Sequence, residues 1–480
     1  MNPRAQEAAA LALHRFGFGP RRESIAAIAA DPRGAVLAEL DRPQAARVVV
    51  DLPSSAKAAR AIFDFQAAQR AKQKVLLRLE KAAEANSTQA SIAKLGLAAV
   101  SADMQMGQIP GQKRLPLPAQ FIQNEAKVHF DAAIDAHIGF VERLVWFWSN
   151  HFCISADKTP SMAGPYEREA IRPHVLGPFG DMLQAVESHP AMLYYLDNVE
   201  SMGPDSIAGI NRDRGLNENL ARETLELHTL GVRTGYTQAD VTNFAKVLTG
   251  WTWIPASEPL HGGEFVFSHL LHEPGDQVVL GKSYSDTGIG QGRAVLADLT
   301  RHPATAHHIA QKLASHFVAD EPPPTLVGKL ERKFIDTGGD LKELSKALVN
   351  ADESWTPQRT KLKPPGEWIV SVLRTADAEA RIQIGQIMGA QAMLGQALWR
   401  PPAPNGYSDR EAAWIDGLSR RLDIATQFAA RLAVNADPGA LVDSALGPLV
   451  SSQTRDTVMH AESRAQALAL LVMAPEFLRS

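Results

Sequence analysis

The stretch from Gly215 to Trp253 constrains the fold most, because it predicts two capped helices in succession. Asn217 is a suitable N-cap for a first helix that runs to Leu230 without an internal Gly or Pro. Gly231 follows where a left-handed residue often ends a helix. We therefore expect one helix over 217–230.

The second helix of this stretch carries its own start and stop signals. Thr237 and Asp240 have the spacing of a capping box, and Gly250 suits a helix end. Val241 and Phe244 fall at helical spacing between them. The two helices together predict a helical hairpin at the centre of a mainly α-helical chain.

The first helix places an acidic residue among apolar ones. Leu216, Leu220, Leu227 and Leu230 form a stripe at helical spacing, and Glu223 falls on the same stripe. We therefore expect the Glu223 carboxylate to be buried. A buried acid is costly unless it is paired, so it is either a functional group or one member of a salt-bridge network.

Glu223 and Glu226 are three residues apart, so both can reach one cation or one substrate group. Arg222 lies one turn from both Glu218 and Glu226, and mutual salt bridges among these three are the structural alternative. His228 points nearly the opposite way from Glu226. A metal ion bound here would need a ligand from another segment.

Two distant segments can supply such partners. A long helix is expected from Ala119 to His151, and it ends in the aromatic sequence WFWSNHF, which delivers Asn150 and His151 into the core. His272 stands in the turn HEPGD, inside an irregular stretch at 254–293. Long irregular segments within helical chains are often functional.

The predicted pocket combines these groups. Its catalytic candidates are Glu223, Glu226, Arg222 and His151. Its candidate metal ligands are Glu223, Glu226, His151 and His272, and a divalent metal ion is the candidate cofactor. Trp146, Trp148 and Trp251 are candidate walls, with Trp148, Trp251, Asn150 and Asn217 expected to bind substrate.

Composition bounds the fold and the partners. The 480 residues are 45% hydrophobic with a formal charge of −4, which is ordinary for a globular protein and does not suggest a nucleic-acid binder. We expect one large helical domain over 1–480, or two helical lobes. A basic helical insertion is expected at 56–115, and a loop or small β-hairpin at 254–293.

The single cysteine, Cys153, excludes an internal disulfide and a cysteine-based zinc cluster. No stretch is long and apolar enough for a membrane span. As written, the sequence predicts a cytoplasmic protein, with a periplasmic or exported location as the alternative if a leader is missing.

Motifs along nearly the whole chain resemble one family. They are LHRFGFGP, FWSNHF, MLYYLDN, NENLARETLELHTLGV, GYTQADV, LTGW, HEPGDQVVLGK, RHPATAHHIAQKLASHFVAD, KLKPPGEWIVSVLR, WRPPAPNGY and APEFLRS. The chain is similar to a widespread bacterial family known as domain of unknown function number 1800. The resemblance implies a mainly helical protein without an established activity. It also implies a frequent export leader and a second uncharacterised exported protein encoded nearby.

Two functions follow as hypotheses. The first is an enzyme that acts on a small molecule or polymer, with metal-dependent or carboxylate-based hydrolysis at the 217–230 helix as the expected reaction. The alternative is a non-catalytic helical protein that binds or scaffolds another protein, with the Pro-rich loop at 399–409 and the tryptophans in recognition. The hairpin has an acidic first helix, unlike that of a DNA-reading helix-turn-helix.

Overall fold

The computed structural model describes residues 3–83, 115–210, 215–376, 382–432 and 437–480. Within them the protein is mainly α-helical, as predicted, with two small antiparallel sheets. None of the helices in the described part is both long and apolar enough to cross a membrane.

The elements follow in chain order. The first half of the chain holds α1 (Pro3–Arg15), α2 (Ser24–Ile28), α3 (Pro32–Leu40), α4 (Ser55–Ala83), α5 (Leu117–Asp135), α6 (Phe140–His151), α7 (Ala163–Tyr166), α8 (Phe179–Glu187), α9 (Pro190–Tyr195), α10 (Asn219–Glu223) and α11 (Gln238–Leu248). The strands are β1 (Trp251–Trp253), β2 (Phe265–Phe267), β3 (Gln277–Val279) and β4 (Lys282–Tyr284). The second half holds α12 (Ile289–Arg301), α13 (Pro303–Phe317), α14 (Pro324–Asp336), α15 (Leu341–Asn350), α16 (Pro365–Thr375), α17 (Ile384–Met393), α18 (Leu418–Leu432), α19 (Pro438–Ala445), α20 (Ser452–Met459), α21 (Arg464–Val472) and α22 (Pro475–Leu478).

Shorter helical segments join these elements. Two π-helical segments continue α7 and α10, at Glu167–Ile171 and Thr224–Thr229. The 3₁₀ turns are Asn198–Glu200, Asp352–Trp355, Glu411–Ala413, Ile415–Gly417 and Gly447–Leu449.

The predicted capping box of the second hairpin helix is confirmed. Thr237 Oγ1 accepts from the Asp240 N–H at 3.2 Å, and Asp240 Oδ2 accepts from the Thr237 N–H at 2.8 Å. Gly231 adopts the expected left-handed conformation, with φ at 92°. These local signals fix the turn between the two helices because they satisfy backbone groups that a helix end leaves unpaired.

The first hairpin helix differs from its prediction in two ways. It begins at Asn219, because Asn217 Oδ1 accepts from the Asn219 N–H at 2.9 Å and holds a local turn instead. It then continues as a π-helix, which holds more residues per turn and so rotates the side chains that follow. His228 is therefore buried and Leu227 only half-buried. Glu223, the last residue before the π-helix, is also half-buried and not buried as expected.

The single helix predicted over 119–151 is wrong, because the structure divides it into α5 and α6. The break falls at Gly139, whose φ of 100° favours glycine and whose Cα would carry a Cβ only 2.8 Å from the Phe18 ring. The Glu39 carboxylate caps the new N-terminus, accepting from the N–H groups of Gly139 and Val141 at 3.1 and 3.0 Å. A contact from α3 thus sets where α6 begins.

The 254–293 segment contains the predicted β-hairpin and one further strand, β2. β3 and β4 form a tight antiparallel hairpin, while β2 pairs with β1. Of the predicted basic insertion at 56–115, α4 is helical and largely exposed. Positions 84–114 lie outside the described residues.

The buried side chains form two hydrophobic cores. The larger one includes residues of α1, α6 and α13, and the second one is built mainly from α16 to α22. Trp146 and Trp399 pack against both cores. The junction between the cores is where polar side chains collect.

Candidate active site between the two cores

A cavity of about 90 Å³ lies beside Trp146 and Trp399. Four sequence motifs supply most of its wall: WFWSNHF (146–152), HHIAQKLASHFVAD (307–320), PPGEW (364–368) and WRPPAPNGYSD (399–409). One water molecule needs a cavity of at least ~10–15 Å³, so this cavity has room for more than one water or for a small ligand. Motifs far apart in the chain therefore meet at one small polar site.

A histidine and two acids form a chain at this wall. His316 Nδ1 donates to Asp409 Oδ1 at 2.7 Å, and His316 Nε2 lies 3.6 Å from Glu367 Oε1. Arg143 Nη2 lies 3.1 Å from Glu367 Oε1, and both side chains are almost fully buried. Burial by itself would raise the pKa of Asp409, but the hydrogen bond and the charge of His316 lower it. The ionised Asp409 fixes the orientation of the imidazole.

Three buried polar atoms of the cavity wall have no hydrogen-bond partner among the described protein residues. They are Trp146 Nε1, Glu367 Oε2 and Gln391 Oε1. Glu367 and Gln391 are 3% and 4% exposed. Buried polar groups are normally satisfied, because an unmade hydrogen bond costs about 1–3 kcal/mol. These three atoms are therefore polar groups in the wall that the fold itself leaves unsatisfied.

A second charged cluster supports the opposite wall. Glu167 Oε2 accepts from His129 Nδ1 at 2.9 Å, Ser149 Oγ at 3.1 Å and Trp399 Nε1 at 3.3 Å. His129 in turn stacks on Trp146, with ring centroids 4.5 Å apart. Burial by itself would raise the pKa of Glu167, but the charges and hydrogen bonds around it, those of His129 above all, lower it to about 2. One carboxylate thus holds three side chains of the cavity wall.

Trp399 is held in an unusual backbone conformation. Its φ is 51°, a left-handed value that costs a bulky residue on the order of 1–3 kcal/mol. Its carbonyl accepts from the Ala156 N–H at 2.7 Å, and its indole N–H donates to Glu167. Such strain persists where the surroundings over-determine it, often at functional sites.

The thiol of Cys153 also lines the cavity. It donates to the Pro404 carbonyl at 3.1 Å, and burial raises the pKa of the thiol to about 12. The negative charge of Glu223 makes a smaller contribution to this increase. The pKa of Tyr195 is likewise raised, mainly by burial and to a lesser extent by the charge of Glu223. Cys153 is therefore a poor nucleophile at neutral pH, and the predicted acid Glu223 lies within electrostatic reach of the cavity.

The sequence-predicted acids separate into different environments. Glu223 forms no hydrogen bond or ion pair with the described residues, and its pKa is raised, first by burial. Glu226 Oε2 accepts from the Tyr236 hydroxyl at 3.0 Å, and Arg222 Nη2 donates to Glu218 Oε2 at 2.9 Å. Of the three-residue ladder expected from the sequence, only the pair of Glu218 and Arg222 forms among the described residues, because Glu226 bonds to Tyr236.

The predicted histidines lie in two different places. His151 Nε2 donates to the His228 carbonyl at 3.2 Å, beside the π-helix, and burial holds the pKa of His151 well below its usual range. His272 Nδ1 donates to the Thr249 carbonyl at 2.9 Å and its Nε2 lies 3.4 Å from Asp286. Across the described ranges, no three His, Cys, Asp or Glu side chains are grouped so that they could hold a metal ion. The metal ion stays a prediction.

The predicted substrate-binding residues also divide. Trp148 and Trp251 are 1% and 0% exposed and belong to the larger core, whereas Trp146 lines the cavity. Asn150 lines the cavity too, but its side-chain amide is engaged by the backbone of Tyr407. Asn217 Nδ2 donates to the Asp197 carbonyl at 3.4 Å.

Sequence reasoning missed His316, Glu367, Asp409 and Gln391 as site residues. Two of them follow conspicuous signals, since Glu367 stands in PPGEW and Asp409 ends the turn NGYSD. Position 366 of PPGEW favours glycine, because a Cβ there would lie 2.7 Å from Gln391 Nε2 and 3.0 Å from Trp146 Cζ3. A Gly before an acid in a Pro-rich helix start was the available signal.

Comparisons with known proteins complete this description. No curated protein and no solved structure matches the chain. The family described as "Protein of unknown function (DUF1800)" matches residues 11–479. The match spans nearly the whole chain and includes every motif that lines the cavity, so this protein belongs to the DUF1800 family.

Proposed function

We propose that this protein is an enzyme whose active site is the cavity between the two cores, and that hydrolysis of a small polar substrate is its reaction. The observation that carries the proposal is the chain of Asp409, His316 and Glu367 beside unpartnered polar atoms. A carboxylate that orients an imidazole towards a reaction site is the arrangement of a general base.

In this proposal His316 and Glu367 accept and return a proton, and Asp409 holds the imidazole in place. Arg143 positions Glu367 by its ion pair at 3.1 Å. The nucleophile is water, because the pKa of the Cys153 thiol is about 12 and the Ser149 hydroxyl is bound to Glu167. A cavity with room for water next to the acids supports this assignment.

The experiment is a turnover screen against chromogenic esters, glycosides, phosphoesters and anilides. We expect Glu367→Gln and His316→Gln to lower kcat by ~10²–10⁴-fold for any substrate that is turned over, which is the usual contribution of a general acid or base. Glu353→Gln is the matched control, because Glu353 pairs with Lys329 near the surface and outside the cavity. Activity that persists in both cavity variants would place the chemistry elsewhere.

A divalent metal at Glu223 and Glu226 is a separate proposal, supported by the half-buried position of both acids. It is tested by elemental analysis of protein purified without added metal, together with Glu223→Gln and Glu226→Gln. Stoichiometric metal that disappears in a folded variant supports it. Metal content that is zero, or unchanged in both variants, contradicts it.

A further inference from the structure

We infer that this chain forms a two-fold dimer through the segment 47–51, which pairs as an antiparallel β-strand with the same segment of a second copy. The segment has the sequence RVVVD and lies between α3 and α4. It forms no helix, turn or bend. None of its residues lines the candidate active site, so this surface is independent of the proposed reaction.

The backbone of this segment is unpaired. From Val48 to Leu52, no N–H or C=O group forms a hydrogen bond with another of the described residues. A row of free N–H and C=O groups on an exposed strand is a template for pairing with a further strand. A strand from a second molecule would satisfy these groups.

Two arginines hold the segment at its ends. Arg172 Nη1 donates to the Ala46 carbonyl at 3.3 Å, and Arg168 Nη2 donates to the Pro53 carbonyl at 2.7 Å. Both guanidinium groups are also ion-paired with buried glutamates. The segment is therefore ordered before a partner arrives, which lowers the entropy that association costs.

The side chains alternate as they do along a β-strand. Val48 and Val50 line the cleft between this segment and Arg168, whereas Val49 does not and is 91% exposed. Positions 47 and 51 lie two residues before and after Val49, so they share its face of the strand, and both are exposed. This face presents a cation, an apolar side chain and an anion in a row.

The order of the charges makes the segment complementary to itself. In an antiparallel pair with Val49 opposite Val49 of the second copy, each Arg47 lies opposite an Asp51. Asp51 has no ion-pair partner among the residues that the structure describes, and Arg47 donates only to Gln44 Oε1, at 3.2 Å. A parallel pair in register would instead place like charges opposite each other. The charges therefore favour the antiparallel pair, which is two-fold and closes as a dimer.

The dimer is expected to be weak. Stable protein interfaces bury about 1,200–2,000 Å² in total, and a pair of five-residue strands covers less than that. Two strands alone are marginally stable in water. We therefore expect association that depends on protein concentration and that a covalent link can capture.

The first experiment is disulfide cross-linking under mild oxidation, followed by non-reducing gel electrophoresis. Val49→Cys is expected to give a covalent dimer, because directly opposite Cα atoms lie about 4.5–5.5 Å apart, within reach of a disulfide. Asp51→Cys is the register control, since its two thiols would be about 13–14 Å apart along the strands. Leu260→Cys, at a site that is 73% exposed, measures random collisions. The wild type gives the background, because Cys153 is buried.

The second experiment is sedimentation equilibrium over a range of concentrations. Arg47→Glu is expected to weaken dimerisation about 10-fold, because two pairs of opposite charges become two pairs of like charges. Adding Asp51→Arg to this variant reverses both charges and is expected to restore the dimer. Arg293→Glu makes the same change in net charge on the exposed side of α12 and should leave the association unchanged. Melting temperatures show that each variant is folded.

Three results would overturn the inference. The first is a Val49→Cys protein that cross-links no faster than Leu260→Cys. The second is a chain that stays monomeric at every concentration, or a dimer that Arg47→Glu leaves unchanged. The third is a series of higher oligomers in place of a dimer, because open-ended stacking of the strands is not a two-fold pair.

Discussion

The side-chain amide of Asn150 pairs with the backbone of Tyr407. Asn150 Nδ2 donates to the Tyr407 carbonyl at 2.9 Å, and its Oδ1 accepts from the Tyr407 N–H at 2.8 Å. The end of α6 thereby holds the Pro-rich loop at the angle that brings Asp409 to His316. The WFWSNHF and WRPPAPNGYSD motifs are coupled through this contact.

Asn150→Asp is predicted to lower the free energy of unfolding by about 1–3 kcal/mol, because a carboxylate oxygen would then face the Tyr407 carbonyl and leave it unpaired. Chemical denaturation at pH 7 measures the change. Asn243→Asp is the control, since Asn243 makes a single exposed hydrogen bond to the Val278 carbonyl. Equal effects at both positions would contradict a special role for the paired hydrogen bonds between Asn150 and Tyr407.

Glu167 is predicted to stabilise the fold in a pH-dependent way. Its pKa is lowered from 4.5 to about 2, so its contribution is complete above pH 4.5 and is lost as the pH falls towards 2. The shift corresponds to on the order of 3 kcal/mol. The stability difference between the wild type and Glu167→Gln should therefore narrow between pH 5 and about pH 2, as measured by urea unfolding.

Glu353→Gln is the control for this experiment, because Glu353 pairs with Lys329 at the surface, where ion pairs contribute little. A difference for Glu167→Gln that stays constant over the whole pH range would contradict the assignment of a buried, ionised Glu167.

Gly366 and Gly389 offer a matched pair of glycine substitutions. Gly366→Ala is predicted to destabilise the protein by roughly 1–3 kcal/mol, because its Cβ would press on Gln391 and Trp146. Gly389 lies inside α17 with open space around it, so Gly389→Ala should stabilise by about 0.5–1 kcal/mol. Thermal unfolding of the two variants checks the opposite signs. Stabilisation by Gly366→Ala would contradict this prediction, because it would mean that Gln391 and Trp146 can shift to accommodate the new Cβ.

Glu223 is predicted to be a destabilising acid. Because burial raises its pKa, the ionised form is disfavoured in the folded state, and its cost is fully present above the raised pKa. Glu223→Gln should therefore match or exceed the wild type in stability at pH 8, and this gain should vanish as the pH falls towards 4.5. Such an acid is more easily explained by function than by folding.

Glu218→Gln, on the same helix, should instead lower stability slightly, by a few tenths of a kcal/mol, because Glu218 pairs with Arg222. Denaturation curves of both variants at several pH values distinguish the two acids. A loss of stability in Glu223→Gln at pH 8 would assign Glu223 to a structural network.

Much of the fold was predictable because its signals are local. The capping box of Thr237 and Asp240, the left-handed Gly231 and the hairpin at 277–284 all involve residues close in sequence. The break at Gly139 was not predicted, because it depends on Glu39 and Phe18 from other helices. The helical spacing of apolar residues in 119–151 continues across Gly139 and gives no sign of the break.

The site was predicted less completely. His151 is buried as expected, whereas Asn150 and Trp146 are half-buried and line the cavity. The π-helix at Thr224–Thr229 turned the face of the predicted acidic helix, and periodicity at 3.6 residues per turn cannot anticipate that.

The sequence by itself determined the helical class, the central hairpin and the motifs that punctuate the helices, because caps, glycines and apolar spacing act over a few residues. Only the tertiary structure decided which acids meet which histidines. Asp409, His316 and Glu367 come from three separate segments, and their contact depends on how two cores pack around Trp146 and Trp399. Side-chain packing between distant segments has no periodic signature in the chain.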